Sequence, residues 1–247
     1  MNHATFRFHG ELGFFLPRRL RSEIINHPFD WRASIKDMIE SLGPPHCEIE
    51  LIVVNGTAVD FGYIVGPDDR FEVYSHWQDA DITTDIRLRP PLPCPPRFVL
   101  DTHLGRLAAY LRMMGFDTLY RNDYPDDELA QISADEDRVL LTRDVGVLKR
   151  SLVTYGYYVR ETQPRLQLAE IVRRFDLNGS AVPFKHCMKC NGLLEPVEKA
   201  TIIDILPPDT VRYYDDFHRC AACGRIFWKG SHYQKMQRLL DDLLAKI

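Results

Sequence analysis

The first 88 residues combine strand-like patterns with one helical pattern. Apolar and polar residues alternate in TFRFHG and again in RFEVYSHW, as is typical of half-buried strands. The run IELIVVNGTAV predicts a hairpin that turns at Asn55 and Gly56. Between these strands, SIKDMIESLG carries apolar residues at helical spacing, and Gly43 ends the helix. Two strands, one helix and further strands predict a β-grasp layout.

Short apolar runs alternate with helical patterns in the middle of the chain. The apolar runs RFVL, DTLY, VLLT and YYV are separated by HLGRLAAYLRMMG, DDELAQISADED and VGVLKRSLV, and a helix follows from Pro164 to about Phe175. Strands separated by helices need crossover connections, which give a mostly parallel sheet covered on both faces. We therefore predict a three-layer α/β/α domain with a mostly parallel sheet.

Two breaks in composition predict the domain boundaries. The segment RPPLPCPPR contains five prolines in nine positions, which forbid a helix or a central strand. A softer break follows at Asn178-Gly179-Ser180, which ends a helix. The prediction is a β-grasp domain at 1–88, a linker at 89–97, an α/β domain at 98–180 and a cysteine module at 181–247.

Composition narrows the class of protein. At 247 residues and 45% hydrophobic content, the chain can bury a core, which excludes a disordered protein. Lysines and arginines number 31 against 35 aspartates and glutamates, so any surface for nucleic acid must be local. The N-terminus lacks a signal-peptide pattern, and no apolar run reaches the roughly 18 residues of a membrane span. We expect a cytoplasmic protein with no membrane partner.

Four of the six cysteines form two CxxC motifs, which favours a metal over disulfides. Four thiolates complete a tetrahedral Zn²⁺ site with no open position, so the predicted zinc is structural. Redox use of a CxxC is the alternative, but neither motif opens a thioredoxin-like unit. His186 and His218 lie beside the motifs and are predicted to be bystanders. The predicted zinc ligands are Cys187, Cys190, Cys220 and Cys223.

Aromatic and cationic residues follow the second CxxC motif. Aromatic rings can stack on unpaired bases while cations contact phosphates, which predicts binding of single-stranded RNA. The alternative for Trp228 is that it fills the small core of the cysteine module. The predicted RNA-binding residues are Arg225, Trp228, Lys229, His232, Tyr233 and Lys235.

Acidic residues follow two of the predicted strands. Asp101 comes directly after FVL, and Asp144 comes two residues after VLLT. The carboxyl ends of parallel strands face a shared crevice, and carboxylates held close together there repel unless a cation lies between them. Mg²⁺ or Mn²⁺ suits oxygen ligands. A third acid would be Asp126 or Asp127; each of these aspartates could instead be a helix N-cap.

These motifs resemble known families in combination. The order of the acids resembles that in PIN-like nucleases. FVLDTHLGRLAAYLRMMGFDT, RVLLTRD, the paired CxxC motifs and CGRIFWKGSHYQKM together resemble the Mut-seven C-terminal RNase family with its zinc ribbon, which carries a β-grasp accessory domain. VVNGTAVDFGYIVGPDDRFEVY is similar to ubiquitin-like sulfur carriers. Prolines replace the Gly-Gly tail of such carriers, which favours a recognition or structural role.

The resemblance implies roles for individual residues. Asp101, Asp126 and Asp144 would be catalytic ligands of Mg²⁺ or Mn²⁺, with Asp127 as the substitute if the helix register differs by one residue. Thr142 would orient a carboxylate through its hydroxyl group. The implied fold is a PIN-like α/β/α domain, followed by a zinc ribbon and a C-terminal helix.

One departure from the PIN-like pattern concerns the number of acids. PIN nucleases carry a further acid on a helical segment after the first strand, for which this chain has little room; Asp123 and Glu128 are the nearest replacements. The predicted function is metal-dependent, PIN-like (endo)ribonuclease activity on RNA phosphodiesters, with the zinc ribbon assisting RNA binding. The alternative is a non-catalytic RNA-binding or adaptor protein that docks a protein partner through its β-grasp domain.

Overall fold

The protein divides into two compact units. A computed structural model describes the backbone of residues 1–244 and the side chains of residues 1–242, so the predicted module at 181–247 extends three residues beyond the described part. The first unit comprises Met1–Leu92 and Asp144–Tyr158, and the second comprises Pro93–Arg143 and Val159–Ile247. In the described part of the chain, every helix is too short or too polar to cross a bilayer.

A five-stranded sheet forms most of the first unit. Its strand order is β2-β1-β5-β3-β4, with β1 parallel to β5 and the other neighbours antiparallel. The predicted β-grasp layout is therefore confirmed. The elements up to this point are β1 (Asn2–Phe8), β2 (Ile25–Phe29), α1 (Ile35–Leu42), β3 (Leu51–Val54), β4 (Thr57–Val59) and β5 (Arg70–Tyr74).

Local signals set the limits of α1 and of the hairpin that follows it. The hydroxyl group of Ser34 accepts a hydrogen bond from the backbone N–H of Asp37 at 3.2 Å, which caps the helix. Gly43 ends it at φ 141°, a conformation that favours glycine. Asn55 and Gly56 have φ values of 50° and 86°, and they form the two-residue turn between β3 and β4.

The segment Asp144–Tyr158 packs within the first unit, although no sequence pattern indicated this. Its elements are α4 (Val145–Leu148) and β9 (Gly156–Tyr158). It is held by the 3₁₀ turn His46–Glu48, whose side chains bond to its backbone. Nε2 of His46 lies 2.9 Å from the carbonyl oxygen of Val153. The buried carboxylate of Glu48 accepts from the N–H of Tyr158 at 2.6 Å.

Cys47 contacts the same segment through a thiol group. Burial raises the pKa of Cys47, so the thiol keeps its proton. It donates to the carbonyl oxygen of Leu148 at 3.5 Å. The side chains of the turn therefore fix a segment that lies far from it in the sequence.

A parallel sheet forms the centre of the second unit. Within this unit, the strands β7, β6 and β8 lie side by side in that order, and every residue of β6 is buried. The two crossovers run in opposite directions across the sheet, so right-handed connections place α2 and α3 on opposite faces. The elements are β6 (Phe98–Leu100), α2 (Gly105–Met113), β7 (Thr118–Tyr120), α3 (Asp126–Asp135), β8 (Val139–Thr142) and α5 (Pro164–Phe175).

A second, antiparallel sheet contains the cysteines. Its order is β10-β11-β12, and the first cysteine of the second CxxC motif ends β11. Together with the parallel sheet, this confirms the predicted mixed α/β class, with a C-terminal module compatible with a zinc ribbon. The elements are β10 (Leu194–Val197), α6 (Pro208–Tyr213), β11 (Phe217–Cys220), β12 (Ile226–Trp228) and α7 (Ser231–Leu244).

The close packing of segment Asp144–Tyr158 predicts that Gly156→Ala destabilises the first unit. An added Cβ would lie 2.8 Å from Sγ of Cys47, 2.8 Å from Leu148 and 2.9 Å from Val153, and all three side chains are buried. We expect the free energy of unfolding to fall by about 1–3 kcal/mol in urea denaturation. Gly179→Ala is the matched control, because nothing lies within 4 Å of that Cβ. Equal stability of the two variants would contradict this packing.

Candidate active site and cysteine centre

Asp101 lies at the carboxyl end of the central strand β6, beside Thr142 at the end of β8. The register pairs Leu100 with Leu141, and the N–H of Asp101 donates to the carbonyl oxygen of Leu141 at 3.1 Å. The residues that follow this pair, Asp101 and Thr142, therefore lie next to each other. The buried hydroxyl group of Thr142 donates to Oδ2 of Asp101 at 2.7 Å. The sheet and this hydrogen bond fix the direction of the carboxylate.

The other oxygen of Asp101 caps a helical turn. Oδ1 accepts from the N–H of Thr102 at 2.5 Å and from its hydroxyl group at 3.1 Å, which makes Asp101 the N-cap of the 3₁₀ turn Thr102–Leu104. The sequence analysis gave helix capping as the alternative to metal binding for Asp101, and Oδ1 does act as a cap. A carboxylate has roughly four lone-pair sites, so these hydrogen bonds leave acceptor capacity for a cation.

Asp126 and Asp127 are exposed at the start of α3. The N-cap position belongs to Pro125, whose side chain makes no capping bond, so neither aspartate is the N-cap that the sequence left open. Both lie in the first turn, where the helix dipole favours negative charge. Their position is compatible with either a metal ligand or a favourable surface charge.

Asp123 and Glu128 are engaged by Arg121. Nε of Arg121 donates to Asp123 at 2.5 Å, and its terminal nitrogens donate to both oxygens of Glu128 at 3.2 and 2.8 Å. These hydrogen bonds raise the pKa of Arg121, which keeps the guanidinium charged. The two acids that could replace the missing PIN-like acid are therefore already neutralised by a neighbouring cation.

Asp144 is the N-cap of α4 within the first unit. Its Oδ1 accepts from the N–H of Gly146 at 2.6 Å, and the side chain is exposed. The segment that begins with Asp144 is the one held by the turn His46–Glu48. The position of this carboxylate thus depends on contacts with the β-grasp domain.

The four cysteines form a cluster that can hold a metal ion. Their sulfur atoms all lie within 4.8 Å of one another, with 3.9 Å between Cys187 and Cys223 and 3.4 Å between Cys190 and Cys220. A tetrahedral ion with Zn–S bonds of about 2.3 Å requires sulfur atoms about 3.8 Å apart. Over the described residues this is the only such group of three or more cysteine, histidine or acidic side chains. That the carboxylates of Asp101, Asp126 and Asp144 share one cation stays a prediction.

Both cysteine motifs use the same backbone turn. The N–H of Asn191 donates to the carbonyl of Cys187 at 2.8 Å, and the N–H of Gly224 donates to that of Cys220 at 3.0 Å. Asn191 and Gly224 have φ values of 71° and 70°, each four residues after its cysteine. The two motifs therefore present their thiols as matching pairs, which suits a structural zinc. His186 stays outside the cluster, with Nδ1 2.8 Å from the carbonyl of Asn191.

The thiols differ in acidity. Burial and hydrogen bonds to neighbouring thiols raise the pKa of Cys190 to about 12. Burial also opposes ionisation of Cys220, but backbone N–H groups of Cys223 and Ala222 and the neighbouring thiols lower its pKa to about 7. Metal binding must therefore displace protons from the thiols whose pKa is raised.

Two side chains tie the first cysteine motif to the parallel sheet. The buried guanidinium group of Arg112 donates to the carbonyls of Met188 and Lys189 at 3.3 and 3.2 Å, and to that of Thr118 at 2.8 Å. The amide oxygen of Asn191 accepts from the N–H of Thr118 at 2.9 Å. The turn that supplies two thiols is thus fixed to the start of β7.

A charged pair continues this connection across the sheet. The amide nitrogen of Asn191 donates to Asp117 at 2.6 Å, and Asp117 accepts two hydrogen bonds from buried Arg138 at 2.9 and 3.0 Å. Although burial opposes its ionisation, the hydrogen bonds from Arg138 and Asn191 lower the pKa of Asp117. The carboxylate stays charged and bonded to both partners.

Four of the six predicted RNA-binding residues line one cavity of about 700 Å³. Trp228 and Tyr233 are half-buried there, whereas Lys229 and His232 are exposed. Arg225 and Lys235 are exposed but do not line it. The sequence missed the rings of Phe184 and Tyr214, because neither lies in a motif; only tertiary contact brings them to the cavity.

The fold and sites define a β-grasp domain joined to an α/β domain with an acidic strand end and a four-cysteine ribbon. The family model described as Mut7-C RNAse domain matches residues 96–240, and that described as Mut7-C ubiquitin matches residues 1–81. The chain therefore belongs to the Mut7-C RNase family, which confirms the resemblance and indicates a nuclease with RNA as its implied substrate. No curated protein and no solved structure matches the chain significantly.

We predict that Arg112→Met loosens the first cysteine motif. The change leaves three backbone carbonyls without their donor, at about 1–3 kcal/mol for each one that stays buried. Urea denaturation should show lower stability, and a chromogenic chelator should remove zinc faster. Arg106→Met on the exposed face of α2 is the matched control. Unchanged zinc release in Arg112→Met would show that the motif does not depend on this contact.

A second prediction concerns the metal content. The purified chain should hold one Zn²⁺, and Cys220→Ser should lose most of it because a closed four-thiolate site needs every ligand. Elemental analysis measures the stoichiometry. Cys94→Ser is the control, since Cys94 is exposed and lies outside the cluster. Full zinc content in Cys220→Ser, or none in the unaltered chain, would exclude this site.

Proposed function

We propose that the protein is a metal-dependent ribonuclease of the PIN-like type, which hydrolyses RNA phosphodiester bonds with Mg²⁺ or Mn²⁺. The observation that carries the proposal is the position of Asp101. It lies at the carboxyl end of the central strand of the matched RNase domain and is oriented by Thr142. Open parallel sheets bind their ligands at this edge.

The proposed metal ligands are Asp101, Asp126 and Asp144, with Asp127 as the substitute for Asp126. Their carboxylate oxygens are the hard donors that these cations prefer. Two features support Asp101 in particular: its oxygens accept from the N–H and hydroxyl groups of Thr102 and the hydroxyl group of Thr142, and no arginine or lysine of the described residues forms an ion pair with it. Thr142 is proposed to act through Asp101 by holding the carboxylate in one orientation.

The proposed reaction is direct attack of water on the phosphodiester. A bound cation would supply an activated water and offset the charge that develops on the phosphate. The contribution of the chain is to hold Asp101 through the bonds from Thr102 and Thr142, so that no carboxylate rotation is needed when the site assembles. No nucleophilic side chain takes part in this proposal.

The zinc ribbon is proposed to hold single-stranded RNA. Exposed cations would contact phosphates, and half-buried rings would stack on bases. A cytoplasmic location belongs to the same proposal, supported by six cysteines that form no disulfide. The proposed RNA-binding residues are Arg225, Trp228, Lys229, His232, Tyr233 and Lys235.

A second candidate function is a non-catalytic RNA-binding or adaptor role. It is favoured by the pairing of Asp123 and Glu128 with Arg121, which leaves the acidic set small. The β-grasp domain would then dock a protein partner. Two large exposed apolar side chains of that domain, Ile24 at 62% exposure and Trp31 at 55%, support such a surface.

Cleavage of labelled RNA with Mn²⁺ tests the first proposal. Asp101→Asn should lower the rate by more than about 100-fold, because it removes a charged ligand. Thr142→Val should lower it by about 10- to 100-fold, because the carboxylate loses its orienting donor. Asp123→Asn is the matched control and should cleave like the unaltered chain, since Asp123 pairs with Arg121.

The outcomes separate the two functions. Cleavage that persists in Asp101→Asn, or that survives chelation of the added cation, would exclude this active site. RNA binding that survives chelation and Asp101→Asn, in a chain that never cleaves, would favour the adaptor role instead.

A further inference from the structure

A cavity beside the cysteine cluster lies outside the proposed catalytic site. It is bordered by the segment before the first cysteine motif, strand β12 and the start of α7. We propose that it takes one unpaired nucleobase of a single-stranded RNA. This inference rests on the proposed function, because it describes how the substrate of that site is held.

The size of the cavity suits a nucleotide-sized ligand. Its volume of about 700 Å³ falls in the range of roughly 300–1,000 Å³ that is usual for small-molecule sites. Its lining contains the rings of Phe184, Tyr214, Trp228 and Tyr233. Every base has two flat faces that can stack on such rings, so this contact does not depend on which base is bound.

Packing holds two of these rings in place. Trp228 lies against the buried ring of Phe217, with 6.4 Å between centroids, and Tyr233 lies against Phe184 at 4.3 Å. Trp228 therefore does pack in the small core of the cysteine module, which was the alternative to RNA binding in the sequence analysis. The same packing leaves its ring in the cavity lining, so the two roles are compatible. Rings fixed before the ligand arrives lose little entropy when it binds.

The charge of the lining favours an anionic ligand. It includes the cation Lys229 but no aspartate or glutamate. This differs from the whole chain, in which acidic residues outnumber basic ones by 35 to 31. Lys229 lies 4.0 Å from Asp216, and both are exposed, so this pair is weak and yields readily to a phosphate.

The shape of the lining favours an unpaired base over a base pair. Bases in a duplex are stacked on both faces and cannot enter a concave site without being extruded. Bases of a single strand reach it at little cost. The cavity therefore predicts that affinity depends on the presence of bases as well as on phosphates.

Binding of fluorescein-labelled RNA to the Asp101→Asn chain tests the inference, since this background prevents cleavage during the measurement. Three probes are compared by fluorescence anisotropy: a single-stranded oligomer, an oligomer of the same length with abasic sites, and the matching duplex. The single strand should bind most tightly. Abasic sites remove stacking and keep the phosphates, so they separate the two contributions.

Substitutions of cavity residues test whether the base-dependent part of the affinity comes from the cavity. Trp228→Ala should weaken binding of the single strand by about 5- to 150-fold and leave the abasic oligomer unchanged. Trp228→Phe should retain most of the affinity because it keeps a ring. Lys229→Gln should weaken both probes and lower the salt dependence by about one counterion. Leu166→Ala is the control, because Leu166 is exposed on α5 and does not line the cavity. Zinc content checks that each variant is folded.

Equal affinity of the single strand and the abasic oligomer would overturn the inference, as would equal affinity for the duplex. So would full binding by a zinc-loaded Trp228→Ala chain. The two proposals fail separately. If RNA binding depends on bases but the unaltered chain does not cleave RNA with Mn²⁺, the nuclease proposal is wrong and the cavity inference stands. If the unaltered chain cleaves RNA but binding does not depend on bases, the cavity inference is wrong and the nuclease proposal stands.

Discussion

The buried guanidinium group of Arg112 connects the two structural centres of the second unit. It spans from the carbonyl of Thr118, at the start of a sheet strand, to the carbonyls of Met188 and Lys189 between two zinc-site cysteines. Desolvation lowers the pKa of Arg112, whereas the nearby thiols oppose this shift. A ribbon of this size has little core of its own, so its contact with the sheet contributes to its stability, as would a metal held by the four cysteines.

The parallel sheet plays the corresponding role for the acidic site. The register of β6 and β8 brings Asp101 beside Thr142, and a slip of β8 by one residue would turn Thr142 to the other face of the sheet, away from Asp101. Asp144 is held differently, through a segment fixed by His46 and Glu48 of the β-grasp domain. The accessory domain thus has a structural function, whether or not it also binds a partner.

The proposed RNA-binding cavity and the proposed catalytic residues lie in different parts of this nuclease-family chain. The net charge of −4 gives no general attraction for RNA, so recognition must come from local surfaces. The cavity lined by Trp228 and Lys229 is the surface that we propose for this role, since its lining contains aromatic rings, a cation and no carboxylate. Its place next to the cysteine cluster would give that cluster a role beyond stability, because a metal held there would also fix the strand that lines the cavity.

The sequence by itself determined the local features. Gly43 ended α1, Asn55 and Gly56 formed the hairpin turn, and the CxxC spacing identified the four thiols, because each depends on residues close together in the chain. Only the tertiary structure showed that Glu48 holds the segment after Asp144, or that Arg112 reaches the cysteine motif. The first contact joins residues 110 positions apart and the second joins residues 76 positions apart, and such distant pairs leave no periodic signal in a single sequence.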